Sequence, residues 1–222
     1  MTTVFLTEKK CFVCGRKNRY PQVGTSMTII GTKDLDGRPA QMQRSSIYML
    51  IQRCIFCGYC TMDISDGLPE DKQVVESKEY AAQLTNQGYP ETANAYLCRS
   101  LICEKSGRLS DAGWAAVYAA WICDDNQFTD AADLCRGRAL ILFSKAREHH
   151  QQYCESSQEE ALLIVDLMRR RGEFDAALAL CEQEMDKTHS EEFLDLINLE
   201  QHLIKAKDRS CHGVTEAEEF DD

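Results

Sequence analysis

From about Glu76 to Lys207, apolar residues recur every three or four positions, a period that predicts roughly seven short amphipathic helices. Turn-forming segments divide them at Gln87–Pro90, Ser106–Leu109, Asp124–Phe128, Cys154–Ser157, Gly172–Phe174 and Lys187–Ser190. Ser157-x-x-Glu160 and Thr188-x-x-Glu191 fit capping boxes, in which each side chain satisfies the other residue's free amide. After Gly172, the positions Phe174, Ala177, Leu178, Cys181 and Met185 form one stripe that needs a neighbour to cover it. Trp114, Tyr118 and Trp121 share a face, and the alanines between them suit close helix contact, so they read as core.

The first 66 residues follow a different pattern, with short runs of β-branched and aromatic residues. Ser26–Gly31 and Ser46–Arg53 are the strand candidates, and Asp34-Leu-Asp-Gly-Arg-Pro39 between them is a turn by composition. Asp34, Asp36 and Arg38 are a candidate recognition loop for a partner; an internal salt bridge bracing the module is the competing account. Residues 63–71, with Gly67 and Pro69, read as the linker. The expected domains are 1–66, 67–210, and an acidic, disordered tail over 211–222.

Gly88-Tyr89 with Ala93, Gln127-Phe128 with Ala131, and Glu173-Phe174 with Ala177 each place an aromatic after a turn and a small residue three or four positions on. This is the middle of a tetratricopeptide-like helix pair, lengthened because the aromatics lie 39 and 46 residues apart. An ordinary helical bundle without repeats is the alternative.

Cysteine chemistry changes the picture at the N-terminus. Cys11-Phe-Val-Cys14-Gly15 and Cys54-Ile-Phe-Cys57-Gly58 are two matched knuckles. Two thiolates three positions apart on a tight turn can face one tetrahedral ion, and a second knuckle completes a four-sulfur shell, so Cys11, Cys14, Cys54 and Cys57 are the expected ligands of one structural Zn²⁺. Redox dithiols are disfavoured because no βαβ pattern surrounds either pair. Cys60 competes with Cys57 as a ligand, although the matching glycines select Cys57. Cys98, Cys103, Cys123, Cys135 and Cys181 lie among apolar neighbours and read as buried, reduced thiols. Adjacent His149 and His150 project in different directions on a helix, which argues against a second metal site with Cys154.

The net charge of −11 is unevenly placed: residues 1–60 carry nine Lys and Arg against three Asp and Glu, leaving −17 for the rest. An acidic body of that size repels phosphate at long range and makes nucleic acid the less favoured partner. Arg169, Arg170 and Arg171 end a helix, where cations oppose the negative end of its dipole. No apolar run approaches the ~18 residues of a membrane span and no secretory leader is visible, so a cytoplasmic protein is expected. No Gly-x-Ser-x-Gly, phosphate-cradling loop or His-Glu-x-x-His occurs.

The chain resembles a bacterial family of uncharacterised proteins, domain-of-unknown-function family 2225. The resemblance rests on Cys11-x-x-Cys14-Gly15, Asp34 to Pro39, Gln52-Arg53-Cys54-x-x-Cys57-Gly58-Tyr59, and Ala120-Trp121-Ile-Cys-Asp-Asp125. Ile55 stands where the second knuckle more usually has Pro; the departure removes no ligand. The resemblance implies a zinc-ribbon-like module joined to helical repeats, with no activity to carry over. The expected fold is mainly α, a small zinc-ribbon-like β module followed by a tetratricopeptide-like array. The expected function is a non-enzymatic scaffold or adaptor that binds a protein or peptide. Two rivals stand beside it: a nucleic-acid-associated ribbon using Arg16, Lys17, Arg19, Arg44 and Arg53, and a thiol-redox or metal-responsive protein with Cys60 as its labile thiol.

Overall fold

A computed structural model describes residues 4–24, 31–188 and 190–217. The fold is mainly helical. Among the described residues the order is β1 (Val4–Lys10), β2 (Lys17–Val23), α1 (Gln41–Leu50), β3 (Gln52–Arg53), β4 (Cys60–Thr61), then α2 (Asp71–Val75), α3 (Lys78–Leu84), α4 (Glu91–Lys105), α5 (Leu109–Asp125), α6 (Thr129–Glu148), α7 (Ser157–Arg171), α8 (Phe174–Met185) and α9 (Glu191–Lys205). The chain forms two compact units, one of Met1–Ile29 with Gln43–Gln151, the other of Ile30–Met42 with Gln152–Asp222.

In the first unit β1 and β2 make an antiparallel hairpin running from Val4↔Val23 to Lys10↔Lys17, and β3 pairs with β4 from Gln52↔Thr61 to Arg53↔Cys60. The strand candidate Ser26–Gly31 lies outside the described residues except for Gly31, which is a bend. Ser46–Arg53 is corrected: α1 continues to Leu50, and only Gln52–Arg53 is extended. Ile47 and Ile51, four apart, are both buried, and Tyr96 Oη donates to the Ile47 carbonyl at 2.6 Å. Tertiary packing on a helical face therefore overrides the local preference of a β-branched, aromatic run.

Helices α4, α5 and α6 form the body of this unit, each packed on the next and joined by three-residue turns. Ala112, Ala115, Ala116, Ala119 and Ala120 of α5 are buried and let the neighbouring helices approach closely. Into the space between them go the aromatic rings: Tyr96 stacks on Tyr118 with centroids 5.2 Å apart, and Trp114 meets Phe143 edge-on at 5.9 Å. The Trp114–Tyr118–Trp121 face is thus core, with Trp121 fully buried. Gln151 closes the unit by accepting from the Leu109 and Ser110 amides at the start of α5 and donating to the Gly107 carbonyl.

The expected linker at 63–71 belongs inside this unit. Phe12 N donates to the Ile64 carbonyl, Ile64 N donates to Gln52 Oε1, and the fully buried Asp71 carboxylate accepts from Tyr59 Oη and the Leu68 amide. These bonds fold the segment against the knuckles, so the division of the chain falls at Gln151/Gln152 and not near residue 66.

The second unit is built by α7, α8 and α9 around Leu162, Val165, Ala177, Cys181, Phe193, Ile197 and Leu203. The stripe of α8 faces this core through Ala177 and Cys181, with Phe174 and Leu178 packed at its margin; Met185 remains 40 % exposed. Ser156, not Ser157, caps α7 by accepting from the Glu159 amide, while Glu159 and Glu160 accept from the amides of Glu155 and Tyr153. Ser190, not Thr188, stands at the cap of α9. The expected disordered tail is also corrected over its first part. Leu35 N donates to the His212 carbonyl, Asp34 bridges to Gly213, and Ala217 is buried.

Candidate metal centre

Each knuckle is a six-residue excursion between the last paired residues of two strands, Lys10↔Lys17 and Arg53↔Cys60. Both close the same way. Cys11 N donates to the Arg16 carbonyl and Gly15 N to the Cys11 carbonyl; Cys54 N donates to the Tyr59 carbonyl and Gly58 N to the Cys54 carbonyl. The two glycines have φ of 71° and 78°, the left-handed region that an L side chain adopts only with strain. At Gly58 a Cβ would also lie 2.4 Å from Leu84 Cδ2.

These turns bring the Sγ atoms of Cys11, Cys14, Cys54 and Cys57 within 4.8 Å of one another. Cys11–Cys57 is 3.7 Å and Cys14–Cys54 is 3.6 Å. A tetrahedral ion with metal–sulfur bonds of about 2.3 Å requires sulfur–sulfur edges of about 3.8 Å, so the group has the dimensions of a four-thiolate site. All four positions are protein sulfurs, which leaves none for water or substrate. Cys11 and Cys54 are buried, Cys57 is half-buried and Cys14 exposed, so solvent reaches the cluster from one side.

Burial pushes the Cys11 and Cys57 thiols up, and close contact with the other sulfurs adds to it. Cys54 is desolvated too, yet the amides of Cys57 and Phe56 directed at its sulfur bring it down to about 7. Four crowded thiols do not all ionise unaided. A cation held among them would supply the missing charge, and the knuckle amides already point at sulfur to receive thiolates.

Cys60 lies outside this group. It is fully buried, its Sγ donates to the Gly58 carbonyl at 3.2 Å, and burial holds it well above the usual thiol range. A thiol so placed is neither a fifth ligand nor a labile nucleophile. The second knuckle is fastened from the helical side by Tyr80, whose hydroxyl donates to the Gly58 carbonyl at 2.8 Å and accepts from the Cys60 amide. Among the described residues no other set of three or more His, Cys, Asp or Glu is arranged to hold an ion, His149, His150 and Cys154 included.

The candidate recognition loop faces inward. Asp34, Asp36 and Arg38 are 7 %, 1 % and 4 % exposed. Asp36 accepts from the Arg38 amide and from Arg170 at 2.7 Å, and Asp34 accepts from Cys211 Sγ at 2.9 Å. Their partners lie in the second unit, so the bracing they supply is there and not in the ribbon-like module. Arg170 and Arg169 are likewise not surface cations of a helix end. Arg169 is wholly buried and donates to Asp166 at 2.5 Å and to Glu200 at 2.7 Å. No sequence signal short of pairing Asp36 with Arg170 across 134 residues marks this network.

Two matched knuckles inserted into a helical body define a protein with a ribbon-like four-thiolate module. The chain belongs to the bacterial family described as "Uncharacterized protein conserved in bacteria (DUF2225)", whose model matches residues 5–206. No curated protein and no solved structure matches it.

Proposed function

We propose that this protein is a non-enzymatic, zinc-stabilised scaffold or adaptor of the cytoplasm that binds a protein or peptide through its helices. The observation that carries the reading is the closed four-sulfur shell, which holds an ion for folding and offers it no open position for chemistry. Zinc is favoured because it is redox-inert and suits a tetrahedral sulfur set; iron is the competitor for the same geometry. The helical side supplies the binding surface. Ala93, Ala131 and Ala177 are buried after their turns as helix pairs of the tetratricopeptide kind require, although Phe128 is 41 % exposed and does not pack across its turn. On α6, Leu134 and Ile141, seven residues apart, are 63 % and 60 % exposed on one face. Consistent with a cytoplasmic protein, no described helix is long and apolar enough to cross a membrane.

One observation favours a second reading. Phe12 and Phe56 stand exposed at the knuckle tips, with Arg16 lying 4.8 Å over the Phe56 ring and Arg19 also exposed, a combination suited to stacking bases and contacting phosphate. The test is affinity capture of the tagged chain from a bacterial lysate, with and without nuclease, together with elemental analysis. A stoichiometric protein partner that resists nuclease and is lost in a Leu134→Lys, Ile141→Lys double variant, with one zinc per chain, is the expected result. Nuclease-sensitive partners would transfer the assignment to nucleic acid, and one iron per chain with a visible charge-transfer spectrum would replace zinc.

A further inference from the structure

Tyr20 follows the first knuckle on β2, opposite Thr7. It is 3 % exposed, and its hydroxyl is enclosed with no hydrogen-bond partner, an arrangement that costs a folded protein the hydration of that group without replacement. The hydroxyl does have a neighbour, the sulfur of Cys54. A thiol is a poor acceptor, whereas a thiolate held by a cation is a good one. Two of the other sulfurs are served by backbone donors. The amides of Cys14 and Val13 point at Cys11, and that of Tyr59 points at Cys57. Cys54 has the amides of Cys57 and Phe56, and Tyr20 stands on its remaining side.

We propose that the Tyr20 hydroxyl donates a hydrogen bond to the metal-held Cys54 thiolate, making Tyr20 a positioning residue that fixes this sulfur and sets how firmly the ion is retained. The inference rests on the four-thiolate reading above. It accounts for an otherwise unserved buried donor and adds a side-chain donor to the two amides at Cys54, which holds that sulfur in place.

The test compares the full-length wild type with Tyr20→Phe, loaded with Co²⁺ for spectroscopy and Zn²⁺ for release. Removing the donor leaves more electron density on sulfur. The sulfur-to-cobalt charge-transfer band should move to lower energy, and zinc should pass to a chromophoric chelator about 10-fold faster. Tyr59→Phe is the control for a purely structural effect: it deletes the bonds to Asp66 and Asp71, lowers stability and leaves the cobalt band in place. An unmoved band with unchanged zinc transfer in Tyr20→Phe overturns the inference while the metal centre stands. A wild-type chain that binds neither ion overturns the centre and this inference with it. Should Tyr20→Phe fail to fold, the cadmium-loaded wild type decides: spin coupling from cadmium to the Tyr20 hydroxyl proton supports the bond, and its absence from an otherwise assigned spectrum refutes it.

Discussion

The two units solve the burial problem in opposite ways. The first, with 16 Lys and Arg against 15 Asp and Glu, is near neutral; the second, with 9 against 21, carries essentially all of the protein's net charge. Net charge alone predicts that the neutral unit hides its charges and the acidic unit displays them. Instead the acidic unit runs an ionic network through its interior, where Asp36, Asp166, Arg169, Arg170 and Glu200 are all 5 % exposed or less. The first unit fills its interior mostly with rings, alanines and sulfur, and its buried ions are held in small separate groups, Asp71 with Arg108 and Arg136 with Asp124 and Asp133. A buried ion pair contributes little net stability because desolvation offsets most of the attraction, but breaking one is severe. Such a network selects one arrangement of chain segments, and here it ties 30–42 to helices that follow more than a hundred residues later. In the first unit, local sequence already specifies the knuckles and turns, and their four sulfurs mark where they meet.

The largest expected effect tests whether the metal belongs to the first unit as a whole. Cys54→Ser, or chelation of the ion, should cost more than about 4 kcal/mol and remove hydrogen-exchange protection from α4–α6 as well as from the hairpins, because Tyr80 and the 63–71 segment couple the knuckles to the helices. Helices α7–α9 should keep theirs. Protection lost only around the knuckles would split the first unit; protection lost everywhere would abolish the contrast.

Arg169→Met is the mirror experiment. It leaves Asp166 and Glu200 buried without their cation, and the expected loss is about 3–5 kcal/mol, confined to exchange in α7–α9. A loss below about 1 kcal/mol would mean that the network is dispensable.

Gly113→Ala probes the close packing of the first unit. The added Cβ would lie 2.4 Å from the Phe143 ring, so about 1–3 kcal/mol of destabilisation is expected by chemical denaturation, relieved by Phe143→Leu in the same chain. Lack of relief would move the cause away from this contact.

The most gradual effect is a pH slope. Burial, and then the Asp166 carboxylate, raise Glu200 to about 8 against an ordinary value of 4.5, with Arg169 pulling the other way. Between those values the folded state holds a proton that the unfolded state has lost, so the contribution is complete below about pH 4.5 and disappears as pH rises toward 8, at no more than about 1.4 kcal/mol per pH unit. Asp208, at about 2, and Glu216 and Glu159, also lowered, contribute in the opposite sense and lose their effect only as acid protonates them below that window. Glu200→Gln should therefore flatten the stability of the second unit across pH 4.5–8. An unchanged slope would assign it elsewhere.

The same contrast decides what was legible in the sequence. The knuckles could be read because Cys and Gly recur at fixed offsets, and most helix limits because turn residues interrupt a regular period. The β1–β2 hairpin could not: Val4–Lys10 is exposed along much of both faces and has no alternation, so only closure of the knuckle at its end reveals a strand pair. At Ser46–Leu50 the residue types suggested a strand, while the four-residue spacing of Ile47 and Ile51 held the correct answer. The ionic network was invisible for a physical reason. A charged residue reads as surface until its partner is known, and Arg169 finds Glu200 31 residues away while Arg170 finds Asp36 at 134.

The placement of Asp34 and Asp36 also sets an order of events during synthesis. Both leave the ribosome early, yet Arg170 follows 134 residues after Asp36, and Cys211 follows 177 after Asp34. At ordinary elongation rates these intervals span roughly 7 to 35 s. During them the first unit can complete while the loop 31–40 waits for the helices it will join. The second unit can close only when translation is nearly finished, so a nascent chain stalled between Gln152 and Arg170 exposes a loop for which neither Arg170 nor Cys211 yet exists.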